Sequence, residues 1–137
     1  MLSKLLLTVV TLGYSLIPLL ADFNATHATN PRWTGHARYH VVWQVTSYVL
    51  LALIALFLIW APGPMGDERF LLAAAMAVAI YFGFYTALAS MRIYGGKLND
   101  DNGVPSVTVA SFTVDLNVLV FSIIVLLLIG SLITFIR

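Results

Sequence analysis

The sequence predicts an all-α integral membrane protein, a four-transmembrane-helix bundle that forms a single domain over residues 1–137. Hydrophobic residues make up 61% of the chain and charged residues 9%, and the mean hydropathy is +0.95, far outside the range of water-soluble domains. A hydrocarbon core of about 30 Å requires about 20 mainly apolar residues per helix. Four stretches meet that length, and we find no strand pattern. We expect spans at approximately 2–20, 31–60, 70–94 and 106–136.

Composition also excludes several classes of function. The chain has no cysteine, so it cannot form a disulfide, a thiolate metal site or a thiol nucleophile. Its net charge of +1, without a basic run, argues against nucleic acid as a partner. The four spans leave no room for a soluble catalytic domain. The lipid bilayer is therefore the first expected partner.

The first span, 2–20, allows two interpretations. Lys4 precedes an apolar run and Ala21 offers a small residue for cleavage, as in a secretory signal. Tyr14 and Pro18 are not unusual inside a membrane helix, and we expect the segment to be retained as an anchor.

The second span is expected to begin at Pro31, with Asn30 as its cap, because proline suits the first helical turn. At about 100° per residue, a polar and aromatic stripe then falls within an arc of roughly 100°. Such a stripe should face other helices rather than lipid. Its members are Trp33, His36, His40, Trp43, Gln44 and Ser47.

His36 and His40 stand four residues apart, the spacing at which two imidazoles on one helix can bind a single metal ion. The alternative is that tryptophans form an interfacial belt and the histidines bond to water and lipid headgroups. On the metal interpretation the cofactor is a transition metal ion, Zn, Fe or Cu; the sequence indicates no other cofactor. The candidate metal ligands are His27, His36, His40 and Asp115.

The third span follows the turn 61–67 and is rich in small residues, which predicts that it is the most buried helix. Its aromatic residues Tyr81, Phe82, Phe84 and Tyr85 are candidates for lining a flat apolar pocket, although ordinary packing explains them as well.

Asp115 is expected two to three turns into the fourth span, where an unpaired carboxylate costs a few kcal/mol. His36, His40 and Arg92 are its candidate partners. A purely structural ion pair that holds the bundle together is the alternative to a ligand, metal or proton site.

With four spans, the segments 21–30 and 95–105 emerge on the same side. Lys and Arg residues are almost evenly divided between the two sides. Discounting Arg38 and Arg92 as site residues favours a cytoplasmic amino terminus in the plasma (inner) membrane, with the polar side outside. The polar residues on that side are Asp22, Asn24, His27, Asn30, Arg32, His36, Arg38, His40, Arg92, Lys97, Asp100, Asp101, Asp115 and Asn117.

The polar cluster is compatible with two functions. The first is a small membrane enzyme, metal-dependent or acid–base, that acts on a hydrophobic small molecule, with His27 or Asp22 closing the mouth of its site. The second is a non-catalytic binding protein or subunit whose polar cluster is structural or holds a partner membrane subunit. In the first function the catalytic candidates are His36, His40, Asp115 and Arg92, and the binding candidates are Trp33, Gln44 and Tyr85.

Overall fold

The computed structural model describes residues 1–99, 101–103, 105–109 and 111–137, so that Asp100 lies outside the described residues. Four helices form a bundle, and each is long and apolar enough to cross a membrane. A two-stranded antiparallel hairpin precedes the last helix. The elements are α1 Leu2–Asp22, α2 Gly35–Trp60, α3 Gly66–Tyr94, β1 Val107–Val109, β2 Phe112–Val114 and α4 Leu116–Ile136.

The two ends of the bundle differ, and we name them by the segments they carry. The open end carries residues 23–34 and the described part of 95–115, where the Asn102 amide donates a hydrogen bond to Asn30 Oδ1 at 3.2 Å. The closed end carries both termini and the turn 61–65 between α2 and α3. There the Ser131 hydroxyl bonds to Ser3 O at 2.8 Å, so that α4 is tied to α1. The expectation that the two long loops lie together is confirmed.

Helix α1 is the most buried of the four, which corrects the expectation for α3. Ser3, Leu7, Val10, Tyr14 and Pro18 form a continuous buried stripe along it at spacings of three and four residues. Both α4 and α2 pack extensively against this stripe. The small residues of α3 do pack closely, but only over its first half, where Ala73, Ala74 and Ala77 are buried.

Packing is concentrated at the closed end. The core there contains Ala55, Ile59, Phe70 and Leu128, and the Phe70 and Phe135 rings stack at 4.3 Å. Towards the open end, no residue of α2 before Val45, of α3 after Tyr81 or of α4 before Ile124 is buried. Among the helices only α1 continues its buried stripe there, so the open half of the bundle encloses space rather than a core.

Helix α2 begins four residues later than predicted. Thr34 is its N-cap, and its hydroxyl accepts from the Ala37 amide at 3.2 Å. Asn30 is fully buried in the preceding loop, where its amide donates to Thr26 O at 2.8 Å and its Oδ1 accepts from the Arg32 amide at 3.0 Å. Its side chain therefore organises the loop instead of capping a helix.

The fourth span is also shorter than predicted, because residues 107–109 and 112–114 pair as strands, with Val107 opposite Val114 and Thr108 opposite Thr113. Consecutive β-branched residues, Val-Thr-Val in β1 and Thr-Val in β2, favour this extended pairing. The expectation of no strand was wrong at this point. Helix α4 starts only at Leu116, with Asp115 as its N-cap.

Candidate functional site

A cavity of about 240 Å³ lies in the open half of the bundle, between all four helices. It is larger than the roughly 150 Å³ cavity that holds a benzene ring and smaller than the roughly 300–1,000 Å³ of sites for drug-sized molecules. Most of its wall is apolar, with polar groups at a few positions. The apolar lining is Ile17, Pro18, Ala21, Ile80, Gly83, Phe84, Ala87 and Phe121, and the polar lining is Asp22, His27, Gln44, Tyr48 and Asn117.

Small residues leave this space unfilled. A Cβ added at Gly83 would meet no atom within 4 Å, so the backbone of α3 borders open space at that point. Ala21 and Ala87 contribute only methyl groups. No residue of α2, α3 or α4 is buried towards this end, which agrees with a gap between the described helices there.

Asp22 and His27 form the most polar part of the wall. The Asp22 Oδ1 and His27 Nδ1 atoms are 3.6 Å apart, and each side chain is 27% exposed. Asp22 ends α1, and the chain then turns back so that the Ala28 amide donates to Asp22 O at 2.9 Å. This tight return places the imidazole beside the carboxylate.

The hydrogen bonds around Thr26 determine which nitrogen of His27 carries the proton. Asn24 is fixed because its Oδ1 accepts from the Thr26 amide at 2.8 Å and its Nδ2 donates to Ala21 O at 2.8 Å. The Thr26 hydroxyl must donate its one proton to Asn24 Oδ1, which lies at 2.6 Å and can only accept. The Thr26 oxygen, 2.7 Å from His27 Nδ1, is therefore an acceptor there. Nδ1 carries the proton, which leaves Nε2 as the basic nitrogen.

His27 Nε2 has no hydrogen-bond partner within the described part of the chain. An imidazole that uses Nδ1 as a donor to Thr26, lies beside a carboxylate and has Nε2 free is arranged to act as a general base through Nε2. Asp22 would stabilise the imidazolium that forms when Nε2 takes up a proton.

A second cavity of about 100 Å³ lies outside the first, among the loops of the open end. The two cavities share Ala21, Asp22, His27 and Asn117 in their walls. Trp33 lines the outer cavity, and its ring meets that of His27 edge to face at 5.2 Å. The Asp22–His27 pair thus stands between an outer vestibule and the inner, mostly apolar cavity.

Gln44 and Tyr48 place polar groups on the α2 wall of the inner cavity, where the Gln44 amide donates to the Tyr48 hydroxyl at 3.2 Å. Gln44 was predicted as a binding residue, whereas Tyr48 was missed. The signal for Tyr48 was its position one turn after Gln44, on the same side of the helix.

His36 and His40 lie together but outside the cavity. Their Nε2 atoms are 3.0 Å apart, and both side chains are exposed. The His40 ring contacts the rings of Tyr39 and Trp43 on the outer surface of α2. The expectation that the whole stripe faces other helices was wrong. The buried face of α2 is centred near Ala52 and Ile59, and at about 100° per residue His36 lies roughly 140° away from it.

Asp115 does not pair with the groups predicted for it. Its Oδ1 accepts from the backbone N–H groups of Asn117 and Val118 at 2.8 and 3.4 Å. Its Oδ2 accepts from the side-chain Nδ2 of Asn99 at 3.2 Å. Arg92 is exposed and makes no hydrogen bond or ion pair with the described residues.

Tyr85 and the predicted metal ligands do not come together at the inner cavity either. Tyr85 bonds to Ser122 at 2.8 Å between α3 and α4 and borders a different, apolar groove. No group of three or more His, Asp or Glu able to hold a metal ion occurs in residues 1–99, 101–103, 105–109 and 111–137. The predicted ligand set of His27, His36, His40 and Asp115 is therefore not assembled.

Comparisons of the chain with protein-family models, with curated proteins and with solved structures gave no match.

Proposed function

We propose that this protein is a membrane protein that binds a small, largely apolar molecule in the inner cavity and carries out acid–base chemistry on its polar end. The observation that carries the proposal is the Asp22–His27 pair, with a free Nε2, at the wall of a cavity that is otherwise mostly apolar. Few polar groups in an apolar pocket are what orient a small ligand. Four helices long and apolar enough to cross a membrane support a membrane location, and we propose the plasma membrane as that membrane.

The proposed chemistry uses this chain's own groups. His27 Nε2 accepts a proton from the polar end of the ligand, and Asp22 stabilises the resulting positive charge. The Tyr48 hydroxyl, which accepts from Gln44, has its own proton available for a ligand oxygen. A hydroxyl or carbonyl compound therefore suits the site.

A non-catalytic binding protein is the second candidate, and one distance favours it. At 3.6 Å, the Asp22 and His27 atoms are further apart than in a hydrogen bond, so the carboxylate does not orient the imidazole by a direct bond. In this case the same residues anchor a ligand without changing it.

Binding can be tested with phenol, whose ring and hydroxyl match the proposed ligand chemistry. Phenol should raise the melting temperature of the purified wild-type protein, because a ligand that binds only the folded state stabilises it. In Gly83→Leu the added side chain occupies the cavity, so the increase should disappear. Ala89→Leu places the same leucine side chain on an exposed part of α3 outside the cavity and should respond like the wild type. Equal shifts in both variants would refute the cavity as the binding site.

Catalysis can be tested by comparing small-molecule extracts of membranes that contain wild type or His27→Gln. If the pair is catalytic, a compound should accumulate with His27→Gln that the wild type removes. His36→Gln and His40→Gln are matched controls, because these imidazoles lie on the outer surface. A bound compound that is unchanged in His27→Gln would select the non-catalytic candidate. Loss of turnover in His36→Gln rather than in His27→Gln would contradict the proposal.

A further inference from the structure

The inner cavity is not closed towards the side of the bundle. Gln44 on α2 and Gly83 and Ala87 on α3 line the cavity, and all three are exposed as well. The two helices are joined by the short turn 61–65 and are packed together near it, through Ala55 and Ala73 among others. Further from the turn their facing residues are no longer buried. The exposure of lining residues on both helices, with open space beside Gly83, is evidence for a lateral opening in the seam between α2 and α3.

From this opening we infer that the ligand is a single-chain lipophilic molecule with an uncharged hydroxyl or carbonyl head, which enters from the bilayer between α2 and α3. This inference rests on the proposed function and specifies its substrate class. The head lies at the Asp22–His27 pair, and the chain extends through the opening into the hydrocarbon.

The size of the cavity supports a ligand that extends beyond it. About 240 Å³ holds a head and the first part of a chain, but not a whole lipid. A longer molecule must therefore extend out of the cavity. The lateral opening lies between two helices that are apolar enough to cross a membrane, so a hydrocarbon chain that passes through it would enter the bilayer. The outer cavity, by contrast, is lined by Lys97 and Asn99 and suits water better than a hydrocarbon chain.

The charge of the wall supports an uncharged head. Among the described residues, Asp22 is the one carboxylate in the lining of the inner cavity, and none of the described Lys or Arg residues lines it. A phosphate or carboxylate head would be repelled by Asp22, because like charges brought together in a partly buried site are unfavourable. A hydroxyl head can donate to Asp22 or to His27 Nε2 and accept from Tyr48.

The test uses a long-chain fatty alcohol with a photoreactive diazirine in the chain, added to the whole protein in phosphatidylcholine nanodiscs. After irradiation, the labelled peptides are located by mass spectrometry. We expect labelling at the seam, on residues 44–48 of α2 and 80–87 of α3. Unlabelled alcohol should compete, whereas the same chain with a phosphate head should not.

Matched variants separate the seam from ordinary contact with lipid. Gly83→Leu should reduce seam labelling to the level of the outer helix faces, and Ala87→Leu serves as a second variant that blocks the same opening. Ala89→Leu should leave labelling unchanged. Seam labelling that persists equally in all three variants would identify the probe as surrounding lipid and overturn the inference.

The phenol experiment distinguishes this inference from the proposed function. If phenol binds and the alcohol labels only the outer cavity or the outer faces, the ligand enters from water; lateral entry is then refuted while the binding cavity stands. If phenol does not bind and no seam labelling appears, both proposals fail. Competition by the phosphate analogue equal to that by the alcohol would overturn the uncharged head.

Discussion

At the residue scale, a short series of hydrogen bonds from Asn24 through Thr26 to His27, here called the relay, determines which nitrogen of His27 carries the proton. Backbone groups hold the Asn24 side chain, and its Oδ1 accepts the hydrogen bond that the Thr26 hydroxyl donates. The Thr26 oxygen in turn accepts from His27 Nδ1. The basic Nε2 is the result of these contacts and not of the carboxylate alone. Asp22, His27 and Gln44 were visible in the sequence as polar residues near the membrane surface. The relay was not, because it depends on the turn that brings residues 24–27 back over the end of α1.

Thr26→Val tests the relay, because valine keeps the volume of threonine and removes the acceptor. We expect His27 to lose its preference for the proton on Nδ1, since Nδ1 then lacks its 2.7 Å partner. The measurement is the pair of ¹⁵N chemical shifts of the His27 ring. Thr29→Val is the control, as the Thr29 side chain is exposed and makes no hydrogen bond among the described residues. A wild-type spectrum with the proton on Nε2 would contradict the assignment.

At the scale of the element, hydropathy located all four helices, but it misplaced the start of three of them, since α2 and α4 begin later than predicted and α3 begins at Gly66 instead of residue 70. The segment SVTVASFTVD is apolar enough to fit a helix, and its two runs of β-branched residues, Val-Thr-Val and Thr-Val, were the overlooked signal of a hairpin. Asp115 before an apolar run was likewise an N-cap signal. For α2, both Asn30 and Thr34 fit a cap, and the bonds of Asn30 to Thr26, Arg32 and Asn102 keep its side chain in the loop.

Asp115→Ala should lower the free energy of unfolding by about 1 kcal/mol, the usual cost of losing an N-cap. Asp115→Asn should change it little, because asparagine caps a helix as well as aspartate does. Reversible unfolding in detergent measures both. Asp67→Ala, in the first turn of α3 but not at its cap position, is the control. A large loss in the Asn variant would show that the negative charge, and not the cap, is what matters.

The contact of α1 with α3 and α4 depends on Gly13. A Cβ there would lie 2.6 Å from Ile124 Cδ1 and 3.0 Å from the Tyr81 hydroxyl. Gly13→Ala should therefore destabilise the bundle by about 1–3 kcal/mol, the typical cost of overpacking. Gly83→Ala should have no such cost, since it meets open space.

The double variant Gly13→Ala, Ile124→Val removes the closest atom and should recover part of the stability lost in Gly13→Ala. A Gly13→Ala protein as stable as the wild type would contradict this account of the helix contact.

At the scale of the whole molecule, the sequence predicted the four helices and the side on which the polar loops gather, but not the cavity. The cavity lies where α2, α3 and α4 contribute no buried residue, and no single helix pattern reports how three helices pack against one another. Tyr48, Gly83 and Ala87 became site residues for this reason. The argument for membrane orientation is also affected. A cytoplasmic amino terminus was favoured by leaving Arg38 and Arg92 out of the charge count as site residues, and neither residue lines the cavity.

Single cysteines provide a direct test of sidedness, because the chain has none of its own. In sealed vesicles, Asn24→Cys and Lys97→Cys should react with an impermeant thiol reagent from one side, and Met65→Cys and Arg137→Cys from the other. The reason is that the first pair lies at the open end and the second at the closed end. The same experiment determines which end faces the cytoplasm. Reaction of all four from one side would refute the four-span arrangement.

The concentration of packed residues at the closed end has a consequence for how this protein can diverge. Substitutions near Phe70, Ala73 or Leu128 act on the core and so on whether the chain folds. Substitutions near Gly83, Ala87 or Tyr48 act on the shape of the cavity, where little of the core is at stake. The core residues and the cavity residues are separated along the length of the bundle. Mutations can therefore change which ligand binds while the residues on which folding depends stay the same. Related chains should therefore differ most in the open half of their helices.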